Sequence, residues 1–236
     1  MPETYLQTIG GYDRDQKDGW TFFILNGCPA ELAMAMRRLA RLASIYEKAS
    51  SMEWTTFNTT PVDIITKEVT QWRNHEDVTV DEAAYLEDDM DGRRNRFHCT
   101  EAWRCAILLY ARRVFVQRQD ASGLRSINYL TREILDHIRC IPKTATVQKQ
   151  VLLPVFLAGA EVGDEPVRDF VRDYCSYWSV KSGYLMFNTV ATLLETIWVE
   201  WDVSIRDSYW WGVKVNNIAS SPLPGEQLQV SELLLG

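Results

Sequence analysis

The pattern of this chain predicts an all-α fold: a single compact multi-helix domain of about eight helices with no sizeable sheet. Three observations carry that expectation. Apolar residues recur at steps of three and four over most of the length, alternating apolar–polar runs are almost absent, and helix-opening and helix-closing residues bracket the periodic segments. No self-similarity at a period of about 33–47 residues appears, which argues against a helical-repeat array.

Each element can be justified in turn. Residues 1–19 form a polar N-terminal segment with Gly10, Gly11 and the charged run Asp13 to Asp18. The main domain is expected over residues 20–219. Trp20 to Leu25 is apolar and stops at Asn26-Gly27, reading as a first strand or a short buried segment. Pro29 suits the first turn of a helix, where a missing N–H costs nothing, and Leu32, Met36, Leu39, Ala43 and Tyr46 line one face. The opposite side carries Arg37, Arg38 and Arg41, a solvated outer face by the simplest reading. Thr60-Pro61 gives a second start signal, for a helix to about Trp72. A looser helix is expected over Asp81 to Asp88.

From Arg96 to Gln119 the pattern is strongest, with Trp103, Ile107, Tyr110 and Val114 on one face and Ala102, Ala106 and Ala111 allowing close helix approach. This predicts a central helix packed on more than one side. Ser122-Gly123 is read as its break, and Ile127, Leu130, Ile134, Ile138 and Ile141 mark the next helix, ended by Pro142. Val151 to Val162 is nearly all apolar, a buried helix that Pro154 should loosen or kink near its start. Gly163 ends it and Asp164 caps its successor, whose face is Val167, Val171, Tyr174 and Trp178. Ser182-Gly183 closes that helix, and Met186, Val190, Leu193, Ile197 and Trp201 continue into another. A short aromatic helix is expected near Ser208 to Val213, and residues 220–236, with Pro222, Pro224 and Gly225, read as an irregular tail.

Composition narrows the function. With 25 Lys+Arg against 32 Asp+Glu, the net charge of -7 gives no broad cationic surface for a phosphate backbone, so no direct nucleic-acid binding is expected of this chain. The longest apolar stretch, Val151 to Ala160, contains Pro154 and falls well short of the roughly 20 residues a bilayer span needs. Five cysteines, Cys28, Cys99, Cys105, Cys140 and Cys175, are odd in number and never at C-x-x-C spacing, which argues against a disulfide framework or a structural zinc site and for a reducing compartment.

Candidate chemistry is sparse. In the run Glu87-Asp88-Asp89-Met90-Asp91-Gly92, placing Gly92 at the sixth position of a calcium loop leaves His98 where a bidentate Glu is required. Arg93, Arg94 and Arg96 crowd the same run, which reads as a self-paired charged loop. The same aspartates suggest an alternative, a helical magnesium-dependent enzyme of terpenoid type using Asp88, Asp89 and Asp91, although their spacing departs from that of class I terpene cyclases and no second magnesium motif follows. His75, His98 and His137 lie far apart, none at helical spacing from another. There is no nucleophile elbow, phosphate-cradling loop or dinucleotide fingerprint. No catalytic residue, metal or cofactor is expected.

What remains is aromatic: nine Trp, ten Tyr and eight Phe, dense in the C-terminal third. Phe156, Tyr174, Trp178, Tyr184, Phe187, Trp198 and Trp201 are the candidate lining of an apolar ligand pocket, with core or dimer-seam filling as the plainer reading.

Four phrases then resemble a known family. Asn26 to Leu32 (NGCPAEL) leading into Arg38 to Ala43 (RLARLA), Glu101 to Arg113 (EAWRCAILLYARR), Leu152 to Glu161 (LLPVFLAGAE) and Leu193 to Trp198 (LLETIW) are similar, in order and spacing from about residue 20 to 215, to the regulatory domain of fungal zinc-cluster transcription factors. The resemblance implies a non-catalytic, all-helical effector domain that controls transcription through dimerisation and co-regulator contact. It implies a nuclear location, or a cytoplasmic and nuclear one. In sterol-responsive members such a domain holds a sterol, so a sterol-like or other apolar small molecule is an implied partner. The six-cysteine zinc cluster of the family is not in this sequence. A Pro154-interrupted helix followed by Gly159 and Gly163 is expected to shift between two packings under a ligand's bias.

Overall fold

The computed structural model describes residues 26–52, 54, 56–73, 90–115 and 121–203, and among them every regular element is helical. Seven α-helices lie within the described residues: α1 (Ala30–Ser50), α2 (Thr60–Gln71), α3 (Met90–Phe115), α4 (Ala121–Arg139), α5 (Leu152–Gly159), α6 (Glu165–Ser182) and α7 (Leu185–Val203). A 3-10 segment, Thr146–Val151, leads into α5. The readings at 20–25, 81–88, 208–213 and 220–236 fall outside the described residues. None of the described helices is long and apolar enough to cross a membrane.

Helix α1 follows its sequence pattern. Leu32, Ala35, Met36 and Leu39 are buried while Arg37, Arg38 and Arg41 are exposed. Helix α2 opens one residue earlier in the motif than the sequence suggests: Thr59 is the N-cap and Thr60-Pro61 begin the helix, with the Thr60 N–H donating to Asn58 Oδ1 at 3.0 Å. Its buried residues Val62, Ile65 and Val69 pack on α3, and Arg38 reaches Glu68 across the α1–α2 junction at 2.8 Å. Tyr46, Phe57 and Phe115 clasp α1, the α1–α2 linker and α3, with Phe57 and Phe115 stacked at 5.7 Å and Tyr46 edge-on to both.

Helix α3 is the centre, touching α1, α2, α4, the 3-10 segment and α5. It begins at Met90, so Asp91, Gly92 and the arginines 93, 94 and 96 belong to a helix, not to the charged loop expected from sequence. A residue run wound as a helix cannot wrap a calcium ion, which removes that reading on geometry as well. The two sets of residues that the sequence marks on α3 are buried to different depths. Ile107 is buried, but Trp103, Tyr110 and Val114 are half-buried, and the deepest stripe is Cys99, Ala102, Ala106 and Leu109. A helix covered on several sides has no single apolar face to read.

Helix α4 contains Ser122 and Gly123 in its first turn rather than being preceded by them. Its Ile127, Ile134 and Ile138 are buried against α3 and α5, each burial stabilising by roughly 1.5–3 kcal/mol. Helix α5 is buried along its whole length and ends at Gly159, shorter than the expected run to Val162. Pro154 occupies its first turn, where the N–H it lacks would have had no intrahelical partner, so it does not break the helix. The expected kink is therefore absent. Helix α5 touches α3 and α4 on one side and the antiparallel α6–α7 pair on the other. Gly183, at φ 73°, closes α6 in the left-handed conformation that glycine adopts without strain.

Candidate functional site

The seven aromatic residues singled out from sequence fall into three groups. Phe156, Tyr174, Trp178, Phe187 and Trp198 are all buried in one core, on α5, α6 and α7. Tyr184 sits in the α6–α7 turn and is exposed. Trp201 lies in the last turn of α7, and its side chain falls outside the described residues.

Three of the buried five are fixed by hydrogen bonds, Tyr174 and Trp198 to backbone carbonyls and Trp178 to a side-chain amide. The 3-10 segment carries Gln148, whose Nε2 donates to the Ile141 carbonyl at 2.7 Å and whose Oε1 accepts from Trp178 Nε1 at 2.9 Å. Tyr174 donates its hydroxyl to the Gln148 carbonyl at 2.9 Å. Burial pushes that phenol well above its usual range, with the neighbouring Cys175 and Cys99 adding to the effect, so it remains a neutral donor. Gln148 thus joins the end of α4, the 3-10 segment and α6. Sequence periodicity gave no signal for it, since it is a polar residue in a short non-α segment.

The second anchor is the C-terminus of α5. Its last carbonyl, Gly159, accepts the Trp198 indole N–H at 2.9 Å. A side chain at Gly159 would meet Leu194 at 3.2 Å and Val171 at 3.3 Å, so glycine permits α5 to lie this close to α6 and α7. Over the Trp198 ring stand two guanidinium groups, Arg172 at 4.9 Å and Arg168 at 5.4 Å. Arg172 also bonds Glu195 on α7 at 2.5 and 3.2 Å, and Glu165 and Asp169 on its own helix. Arg168 is buried and donates to the Val162 carbonyl at 3.3 Å. Just past α5, Glu161 accepts from Arg113 of α3 at 2.5 Å, with both side chains almost wholly buried. Sequence reading placed Arg113 and Glu161 inside family-like phrases and assigned them no role. Here they form the ion pair that ties the central helix to the α5–α6 connection.

Other candidate groups are dispersed. His98 of α3 and His137 of α4, distant in sequence, meet at 2.9 Å between their Nδ1 atoms, with Phe97 edge-on to both. Burial lowers both imidazole pKa values; the partner imidazole and Arg94 add to the effect at His98. His75 lies outside the described residues. The thiols of Cys28 and Cys99 are pushed far up by burial, Cys105 to about 11 and Cys175 to about 12, leaving them neutral and weakly nucleophilic. Of the aspartates in the enzyme alternative, Asp88 and Asp89 fall outside the described residues, and Asp91 is exposed in the first turn of α3. Among the described residues no group of three or more His, Cys, Asp or Glu is placed to hold a metal ion. A surface groove of about 200 Å³ lies between α1 and α2, lined by Leu32, Met34, Ala35, Val69 and Trp72 and spanned by the Arg38–Glu68 pair.

An all-helical domain with an aromatic, internally bonded core is the class this arrangement defines. The fungal specific transcription factor domain matches residues 3–215, and the chain belongs to that family. The match ends where the sequence resemblance ended and begins within the polar N-terminal segment. No curated protein and no solved structure matches the chain.

Proposed function

We propose that this chain is a non-catalytic regulatory domain that controls transcription through its surfaces, by contact with co-regulators and with a second copy of itself, in the nucleus and without reading DNA bases. The family match over residues 3–215 carries this reading. The chemistry of the core supports it. Its buried thiols are held neutral, the donors of Tyr174 and Trp198 are spent on backbone carbonyls, and its arginine–carboxylate contacts join helices to one another. Such groups set a shape for partners to recognise. The direct test is to fuse the whole chain to an unrelated DNA-binding module and read a reporter gene. Activation or repression that is lost in the core variant Trp198→Ala supports the proposal. A silent fusion with a folded chain overturns it. Light scattering decides the dimer.

A sterol-like ligand is the second reading, favoured by the convergence of Phe156, Tyr174, Trp178, Phe187 and Trp198 in one apolar core. Such a ligand would have to part α5 from the α6–α7 pair, and so bind one packing better than the other. Titration with sterols should then shift tryptophan fluorescence and raise the melting temperature. An unchanged spectrum and Tm across an apolar library would remove the ligand and leave the protein-contact reading.

A further inference from the structure

One end of the α6–α7 pair differs in charge from the rest of the molecule. The chain holds 32 acidic residues, yet residues 140–160 and 174–194 contain none, and the charged residues of these two stretches are Lys143, Lys149 and Lys181. The fold brings the three together. Lys143 and Lys181 flank the ring of Tyr177, with Nζ to ring-centre distances of 5.9 and 5.2 Å, and Lys149 stands 5.8 Å from the ring of Tyr184. Lys181 also donates to Tyr177 Oη at 2.9 Å. None of the three joins an ion pair among the described residues.

Between and beyond these cations the surface is apolar. Val180 is 86% exposed, Leu185 74% and Tyr184 54%, on the last turn of α6, the Gly183 turn and the first turn of α7. The platform is held in place from below: Trp178 and Tyr174 bond Gln148 and its carbonyl, so the 3-10 segment that carries Lys149 is fixed to α6. Unpaired cations on aromatic rings beside exposed aliphatic knobs form a surface of mixed character that is costly to leave in water and complementary to one kind of partner.

We propose that this face, Lys143, Lys149, Tyr177, Val180, Lys181, Tyr184 and Leu185, is the docking surface for an acidic amphipathic peptide segment, in which Asp or Glu alternates with Leu or Phe. The proposal rests on the regulatory reading given above and names the chemistry of the co-regulator contact. Charge complementarity selects the occupant: carboxylates meet the lysines, and the interleaved apolar side chains cover Val180 and Leu185. A membrane is the weaker fit, because recruitment to anionic lipid takes clusters of roughly four to eight cations and this face has three.

The test uses the whole chain and a fluorescein-labelled peptide of about twenty residues alternating Asp/Glu with Leu/Phe, followed by anisotropy. Saturable binding is expected that weakens as salt rises, is absent for a peptide with Gln and Asn in place of the acids, and falls about tenfold or more in Lys143→Glu/Lys181→Glu. Lys143→Arg/Lys181→Arg should retain it, and Val180→Ser/Leu185→Ser should weaken it with little change in salt dependence. All of these residues are exposed, and circular dichroism checks the fold. Should the charge-reversal pair not fold, the salt titration and the Val180→Ser/Leu185→Ser variant decide. No binding, or binding equal for the uncharged peptide, overturns the proposal. So does a result in which anionic vesicles bind and the peptide does not, or one in which the lysine variants only dissociate a dimer. A reporter fusion that stays silent while the peptide binds strikes the regulatory reading alone; an active reporter with no peptide binding strikes only this surface.

Discussion

Around α5, at its junctions with the 3-10 segment, α3 and the α6–α7 pair, buried polar groups end on partners: Trp178 and Tyr174 on Gln148, Trp198 on the Gly159 carbonyl, Arg113 on Glu161. Along α3 and α4 the bookkeeping is looser. Among the described residues Asn95 Oδ1, Trp103 Nε1 and Thr131 Oγ1 are buried with no hydrogen-bond partner, and His98 and His137 satisfy each other only while at least one of the two Nδ1 atoms is unprotonated. The α5 seam is thus specified by bonds with direction, and the α3–α4 seam by apolar packing that tolerates polar atoms it does not serve. A switch that moves helices at low cost is more readily built on the second than on the first.

The largest effect should come from breaking the α5 seam at its charges. Glu161→Ala leaves the Arg113 guanidinium buried without its carboxylate, with an expected loss of about 3–5 kcal/mol in denaturant unfolding. A loss under about 1 kcal/mol would mean that water reaches the pair and that the seam is not closed. Trp178→Phe is the next step down. It replaces the buried indole by a smaller phenyl ring and strands the Gln148 oxygen, for an expected cost of at least about 1–3 kcal/mol. Tyr174→Phe, which leaves a carbonyl with other ways to be satisfied, should cost less than Trp178→Phe; the reverse order would place the main anchor on the tyrosine.

How much of this was legible beforehand follows the same division. Helices α1, α6 and α7 each bury one face, so steps of three and four mark Leu32, Met36, Val171, Trp178 and Ile197 correctly. Gly183 announced its turn because only glycine sits easily at φ 73°. Helix α3 and its close approach at Ala102, Ala106 and Ala111 are legible, but Cys99 and Leu109 of its deep stripe are not, since a helix covered on several sides has little contrast to read. Pro154 was expected to kink α5 because the sequence hid the 3-10 segment that makes Leu152 a helix start. The five buried aromatics were named together from composition alone, whereas the groups that fix them, Gln148, Arg113 and Glu161, are polar residues whose partners are remote in sequence. Pairings over such distances, like that of His98 with His137, carry no local pattern.

The histidine pair gives a pH test of the looser seam. Burial lowers both imidazoles from their ordinary value of 6.5, despite the opposing pull of Glu101, Glu133 and Asp136 on His137. The folded chain therefore binds fewer protons than the unfolded chain as pH falls through that range. The stability is complete above about pH 6.5 and drains below it. The melting temperature should drop by a few degrees from about pH 7 to about pH 5, and His137→Asn should shrink that drop. A slope identical in the variant would assign the acid sensitivity to other groups.

The smallest expected effect is of opposite sign. Thr66, Thr70, Thr189 and Thr196 each donate their hydroxyl to the carbonyl four residues back, at 2.7–3.3 Å, which is how a threonine usually settles within a helix. Thr131 of α4 is buried and makes no such bond. Its hydroxyl has no hydrogen-bond partner among the described residues. Thr131→Val keeps the branched shape and removes that hydroxyl, so stability should rise by up to about 1 kcal/mol, or about 2–4 °C in Tm. The same exchange at Thr66, where a bond is lost and the site is half-exposed, should be neutral or slightly destabilising. A fall in Tm for Thr131→Val would show that the hydroxyl is served in solution, and the contrast between the two seams would then narrow to the histidines.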